Sequence, residues 1–303
     1  MKTLFYSAIA LSLFFVSCQK DGNSPSTPPE AEKFPVRFSV TDFDRQVTDL
    51  DSRKAGGQDL SNARDSLGNA IQHLHYIAYN SSGNLVSTKY QSLATNNVEF
   101  GHITDSLPAG VYSIVLIGSS PVPATIFYSA SDFGQARLDF KDSNGQLLKI
   151  PDTYYKRVTT MVGPNSKLPD SSILLQRVIS SIEVRIADAL PADSINVSVS
   201  HQATRFFFNR DQSSDGYDIR YLSKKDAKTY GDYVLFTEIP STVIITALDR
   251  TTGAARVKTV YNVSCYRNKK VVLSGNMFSN SDTSGFKISV NDQWDDNGDP
   301  IPF

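Results

Sequence analysis

The chain has 303 residues, 40% of them hydrophobic and 20% charged, with a formal net charge of -1. That length supports two ordinary domains with cores of their own, and the apolar share excludes a disordered chain. Basic and acidic residues balance, so no basic field exists to hold a phosphate backbone, which argues against nucleic acid as a partner.

The chain opens on a short positive region, Met1-Lys2, followed by the nearly apolar run Leu4 to Val16, broken by Tyr6, Ser7 and Ser12. About a dozen apolar residues are too few to span a ~30 Å hydrocarbon core as a helix, so residues 1–17 read as a signal peptide. The run ends in Phe15-Val16-Ser17-Cys18, which resembles a bacterial lipobox. The resemblance implies that Cys18 takes a lipid on its sulfur and anchors the chain to a membrane. Each buried acyl methylene contributes ~0.8 kcal/mol to that anchor. The following Gln19-Lys20-Asp21-Gly22 resembles the Lys-plus-acid export signal of Bacteroidota surface lipoproteins. An outer-membrane location on the cell surface is the expectation. Residues 18–33, rich in Ser, Pro, Thr and Glu after Gly22, form a flexible tether. With Cys18 lipidated, Cys265 has no partner and a disulfide framework is impossible.

Period-2 alternation then recurs to the end of the chain. Strands are expected at Val36–Val40, Ile71–Tyr79, Leu85–Tyr90, Val111–Ile117 and Tyr154–Val162. In the second half they are expected at Ile182–Ile186, Ile195–Val199, Tyr233–Ile239, Val243–Leu248, Arg256–Cys265, Val271–Leu273 and Phe286–Val290. Val111–Ile117 and Val243–Leu248 are apolar on both faces, which suits central strands. Turn signals separate the strands at Ser82-Gly83-Asn84, Pro108-Ala109-Gly110, Asn144-Gly145 and Asp249 to Gly253. The one helical expectation is a short segment at Asp59–Ala70. The Gly/Pro/Asn/Ser/Asp cluster Gly163–Asp170 divides the body into residues 34–166 and 167–303, an all-β chain of two sandwiches.

Five segments in order resemble the fimbrillin and fimbrial-anchor superfamily of Bacteroidota, the subunits of type V pili. They are Phe34–Val40, Ile71–Val86, Leu107–Val115, Leu175–Val178 running into Ser181–Ile186, and Gly285–Trp294. The resemblance implies two tandem transthyretin-like β-sandwich domains and assembly by strand exchange with other fimbrial subunits. An unpaired sheet edge is a template for a strand of another chain, and the main-chain ladder supplies the affinity. Pilins of the superfamily lose an N-terminal segment to an arginine-directed protease; Arg45, Arg53 and Arg64 stand in the polar stretch Asp42–Asn69, where exposed arginines in a loop are the simpler account.

Other candidate chemistry is sparse. His73 and His75 share one face of a strand and could chelate a metal, but neither His102 nor His201 can be placed beside them as a third ligand. Asp292, Asp295, Asp296 and Asp299 flank Trp294 without the spacing of a calcium loop, and read as a solvated acidic tail. Cys265 follows Val257 and Val263 on one strand face, as a buried thiol would. Asp65-Ser66-Leu67, Asp105-Ser106-Leu107 and Asp193-Ser194-Ile195 resemble a Bacteroidota O-glycosylation signal. No hydrolase elbow, zinc helix or phosphate loop is present, and Glu99 and Glu183 read as outward strand residues rather than a glycosidase pair. The expectation is a non-enzymatic fimbrial subunit, or an anchor or accessory protein, with no catalytic residue, metal, cofactor or small-molecule substrate. The alternative is a surface glycan-binding lipoprotein.

Overall fold

The computed structural model describes residues 31–44, 67, 71–96, 98–164, 171–214, 216–279 and 285–291. Cys18, the three arginines of the 45–66 segment, most of the Asp59–Ala70 helix and the acidic residues around Trp294 lie outside them. The described residues are built from strands, with one short 3-10 turn at Phe133–Gln135.

The first half supplies β1 (Lys33–Asp44), β2 (His73–Asn80), β3 (Leu85–Ser92), β4 (His102–Pro108) and β5 (Gly110–Ser120). Two short strands, β6 (Ile126–Phe127) and β7 (Arg137–Asp139), precede β8 (Asp152–Val162) and β9 (Ser171–Arg177). Seven of these form one sheet in the order β3-β2-β5-β8-β9-β1-β4. Its neighbours are antiparallel except β1 with β9. The sheet folds over at the β8–β9 join, which is paired only at Tyr154↔Arg177 and Tyr155↔Gln176. Phe38 on β1 therefore meets Tyr76 on β2, with ring centroids 5.9 Å apart, although three strands separate them in the sheet. One core fills the fold between the leaves.

The second half supplies β10 (Ile179–Ile186), β11 (Ile195–Gln202), β12 (Arg205–Phe207), β13 (Gln212–Ser213) and β14 (Asp218–Tyr221). It continues with β15 (Thr229–Leu235), β16 (Ser241–Leu248), β17 (Ala255–Val263), β18 (Lys270–Gly275) and β19 (Lys287–Asn291). Sheets β15-β10-β18-β19 and β14-β11-β16-β17 enclose a second core. A small sheet, β13-β12-β7-β6, takes two strands from each half. Beneath it lies a third core in which Ile77, Val115, Tyr155, Phe206, Phe208 and Leu235 are buried together.

Alternation maps onto burial where a strand has one wet face. On β10, Ile182, Val184 and Ile186 are fully buried while Ser181, Glu183 and Arg185 are half-buried. The two strands apolar on both faces behave differently. Ile114 to Ile117 of β5 are all fully buried, because the folded sheet covers one face and the third core covers the other. β16 is central in its sheet, yet nothing among the described residues covers its outer face, and Leu248 is 52% exposed. The turn glycines Gly83, Gly145 and Gly253 all take positive φ, as their positions require. Val257 and Val263 do not share a face. The β16–β17 register shifts between Ser241 and Val243, and Asn262 is left-handed, so this bulge reverses the phase: Val257 is exposed and Val263 is buried.

Candidate strand-exchange site

β1 lies between β4 and β9 in the first sheet. Its phase places Phe34, Val36, Phe38 and Val40 inward, with Val36, Phe38 and Val40 at most 5% exposed, while Pro35 and Arg37 face solvent. Two neighbours share its main chain. β4 pairs with Lys33 to Ser39, and β9 pairs in parallel with Phe38 to Asp44. Ile103 and Leu107 of β4 and Ile173 and Leu175 of β9 bury into the same core as these side chains. The arrangement is a slot in which β4 ladders the first part of β1 and β9 the second, the two overlapping at Phe38 and Ser39, with apolar pockets at every second residue, as β-strand addition uses.

Burying Val36, Phe38 and Val40 contributes roughly 5–9 kcal/mol at ~1.5–3 kcal/mol each. A domain has a total stability of about 5–15 kcal/mol, so the body needs some strand in this slot. At the far end of β1, Val40 N donates to Gly101 O at 2.8 Å. Gly101 has φ +90, and a Cβ there would lie 2.9 Å from Leu67 Cδ2 and 3.1 Å from Val40 O, so a side chain does not fit. Leu67 is 4% exposed in the same core. The chain thus comes back beside β1 after the 45–66 segment that carries Arg45, Arg53 and Arg64.

Sequence reasoning missed the residue that fastens the far end of β9. Arg177, 1% exposed, donates through Nε and Nη2 to the Asp152 carboxylate at 2.8 and 2.7 Å. It also donates to Tyr154 Oη at 2.6 Å and to Asn268 Oδ1 at 3.2 Å, joining β8, β9 and the turn before β18. The signal was its phase, since Arg177 lies two residues beyond Leu175 and four beyond Ile173, both inward.

The remaining sequence candidates are scattered. His73 Nδ1 meets Tyr90 Oη at 2.6 Å and its Nε2 meets Pro121 O at 3.1 Å. His75 packs against the Tyr90 ring with centroids 4.7 Å apart. His102 Nδ1 faces Ser39 Oγ on β1 at 3.1 Å, and His201 faces Ser200. Among the described residues, no three His, Cys, Asp or Glu side chains gather to hold a metal. Cys265 is 2% exposed, and burial pushes its thiol up to about 12. Ser106 and Ser194 are exposed. Glu99 lies in the turn before β4, not on a strand. Glu183 is on β10 but is not a free outward side chain: its Oε2 is 2.9 Å from Lys270 Nζ and its Oε1 accepts from Arg185 Nε. Burial opposes its charge, yet these two cations hold its carboxyl below the usual range, which unfits it as a general acid.

His75 gives a pH-dependent expectation. Burial, then the nearby His73, lowers its pKa from 6.5 to about 4. The unfolded chain takes up this proton first as pH falls, so the neutral imidazole's contribution is complete above about pH 6.5 and is lost toward pH 4. At full extent the loss is about 3 kcal/mol. Urea denaturation at pH 7 and pH 4.5 should show a smaller drop for His75→Phe than for the unaltered chain; equal drops would contradict the assignment.

No protein-family profile and no curated sequence matches the chain. Solved structures do share its fold. A candidate adhesin from Bacteroides ovatus superposes with TM-score 0.53 at 12% identity, over 86% of this chain and 92% of that one. A candidate polysaccharide-binding protein from Bacteroides thetaiotaomicron has TM-score 0.53 at 9% identity, over 74% and 89%. A second candidate adhesin from Bacteroides thetaiotaomicron has TM-score 0.52 at 8% identity, over 88% and 98%. The all-β fold expected from the sequence is thus shared with three solved Bacteroides proteins.

Proposed function

We propose that the chain is a lipid-anchored cell-surface fimbrial subunit, of the anchor or accessory kind, that joins other fimbrial subunits by β-strand exchange. The observation that carries this reading is the β1 slot, where Val36, Phe38 and Val40 fill alternate pockets between β4 and β9. The fold shared with Bacteroides adhesins supports it, as does the ordered set of fimbrillin-like segments. In this reading Cys18 carries the lipid, residues 18–33 carry the load to β1, and the two sandwiches of residues 34–166 and 167–303 present the assembly surface. A mature chain that keeps β1 stays covalently joined to its lipid; cleavage after Arg45, Arg53 or Arg64 would leave the body held by the β1 ladder alone.

Two outcomes follow. Cys18→Ala should move the protein from the detergent phase of an envelope extract to the aqueous phase, and unchanged partitioning would remove the lipid anchor. The chain from Gln19 onward should capture a fimbrial subunit encoded beside its own gene, with capture lost when that subunit's terminal donor strand is deleted. Failure with every such subunit would remove the assembly role.

A further inference from the structure

A cleft of about 400 Å³ opens where the outer face of β10 and β15 meets the segments at Pro121-Val122 and Lys149–Pro151. It shares no residue with the β1 slot, and what it binds does not depend on strand exchange. Its volume falls within the ~300–1,000 Å³ of small-ligand sites. Gly231 faces Glu183 across the β10–β15 ladder and adds no side chain, so the floor stays open. A Cβ there would lie 2.9 Å from Ile182 O.

The charges around the cleft do not cancel. Its two lining acids are already engaged: Glu183 is paired with Lys270 and Arg185, and Asp232 Oδ2 accepts from Ser223 N and Ser223 Oγ at 2.8 and 2.7 Å. Lys149 and Lys225 also line it, are exposed, and their ammonium groups engage no described residue. Arg220, 6% exposed, does not line the cleft but feels the charge of Asp232. It donates from Nη1 to Leu148 O at 3.1 Å, while its Nε and Nη2 have no partner among the described residues. Of the acids near these two arginines, Asp218 is paired with Lys141 at 2.9 Å, and Asp226, close to Arg185, accepts from the Lys228 and Thr229 amides. A chain of net charge -1 has therefore gathered cations at one cavity. Lys149 and Lys225 are the lining cations whose ammonium groups no described residue engages, and an anionic ligand would pair with them at the mouth of the cleft.

The walls say which anion. Half-buried Tyr233 and exposed Pro121 line the cleft, and side chains of these kinds offer apolar ring surface on which the C–H face of a pyranose rests. β15 is the edge strand of its sheet, but along its outer edge Gly231 N already donates to Ser223 O and Thr229 O accepts from Lys225 N, so this stretch of the floor offers a peptide backbone little free main chain on which to form a ladder. We propose that this cleft binds an acidic saccharide, its ring against Tyr233 and its carboxylate or sulfate held by Lys149 and Lys225.

The test is titration calorimetry on the full chain with trigalacturonate, a heparin-derived tetrasaccharide, neutral maltotriose and a tetraglutamate peptide. The expected result is binding of one of the two acidic saccharides with a Kd of about 1 mM or tighter, uronate against sulfate being separated by the two probes, and weaker or no binding of maltotriose and tetraglutamate. The double variant Lys149→Glu, Lys225→Glu, changed only at exposed positions, should weaken that binding by about tenfold or more. Tyr233→Ala should weaken it too, with the circular dichroism spectrum unchanged. No heat with either acidic saccharide, equal binding by the double variant, or binding of tetraglutamate alone would overturn the proposal.

Discussion

Replacing Phe38 with alanine should lower the unfolding free energy by about 3–5 kcal/mol, the usual cost of removing a buried phenylalanine ring. Phe38 is 2% exposed, packs on Tyr76, and sits at the overlap where β1 pairs with both β4 and β9. The leaves on either side are held by their own ladders, so they cannot close fully over the space the ring leaves. Its neighbour Arg37 faces solvent, and Arg37→Ala should stay within about 0.5 kcal/mol of the parent. Urea denaturation of the two variants reads both effects. A loss below about 1 kcal/mol for Phe38→Ala would mean that β1 lies on the body without being part of its core.

The second large effect belongs to Arg177. Arg177→Met keeps much of the side chain's bulk but strips Asp152 of a bidentate partner and removes the bonds Arg177 donates to Tyr154 Oη and Asn268 Oδ1. Asp152 is 16% exposed at its side chain, so its carboxylate, left with the Tyr154 hydroxyl at 3.2 Å, loses its cation in a largely dry place. Removing one member of a buried pair costs about 3–5 kcal/mol. Because the pair links β8 and β9 to the turn before β18, the loss should appear in one cooperative transition. Adding Asp152→Asn to the Arg177→Met chain removes the stranded charge and should recover a large part of the stability. If the single variant is within about 1 kcal/mol of the parent, the pair does not hold the join.

Much of this fold is written in period-2 alternation. Every expected strand from Val36 to Val290 lies on or overlaps an observed one, and the glycines at 83, 145 and 253 mark turns by their positive φ. What stayed hidden has three physical sources. Short strands such as β6, β12 and β13 carry two or three residues, too few to show a period, and exist because distant segments pair over the third core. Bulges reverse parity without a compositional mark, which misplaced Val257 relative to Val263. Coverage of a sheet's second face is a tertiary property: β5 and β16 have the same doubly apolar pattern, but among the described residues β5 alone is covered on both sides. The cleft was illegible for the same reason, since Lys149, Lys225 and Tyr233 converge from separate loops and strands. The β1 slot was half legible. The inward phase of Phe34, Val36, Phe38 and Val40 could be read directly, whereas the parallel pairing with β9 could not.

Exchange of β1 itself gives the most direct measurement. A site-specific protease site placed within residues 45–66 would cut the chain beyond β1, after which a fluorescent peptide of residues 31–44 is added in excess. A strand held by two ladders and alternate pockets should be replaced: the labelled peptide co-elutes with the body at one per chain, and the same peptide with Val36 and Phe38 changed to Asp does not. If the labelled peptide never enters while the cut body remains folded, or if the Asp-bearing peptide enters as readily, the slot is not a strand-exchange site.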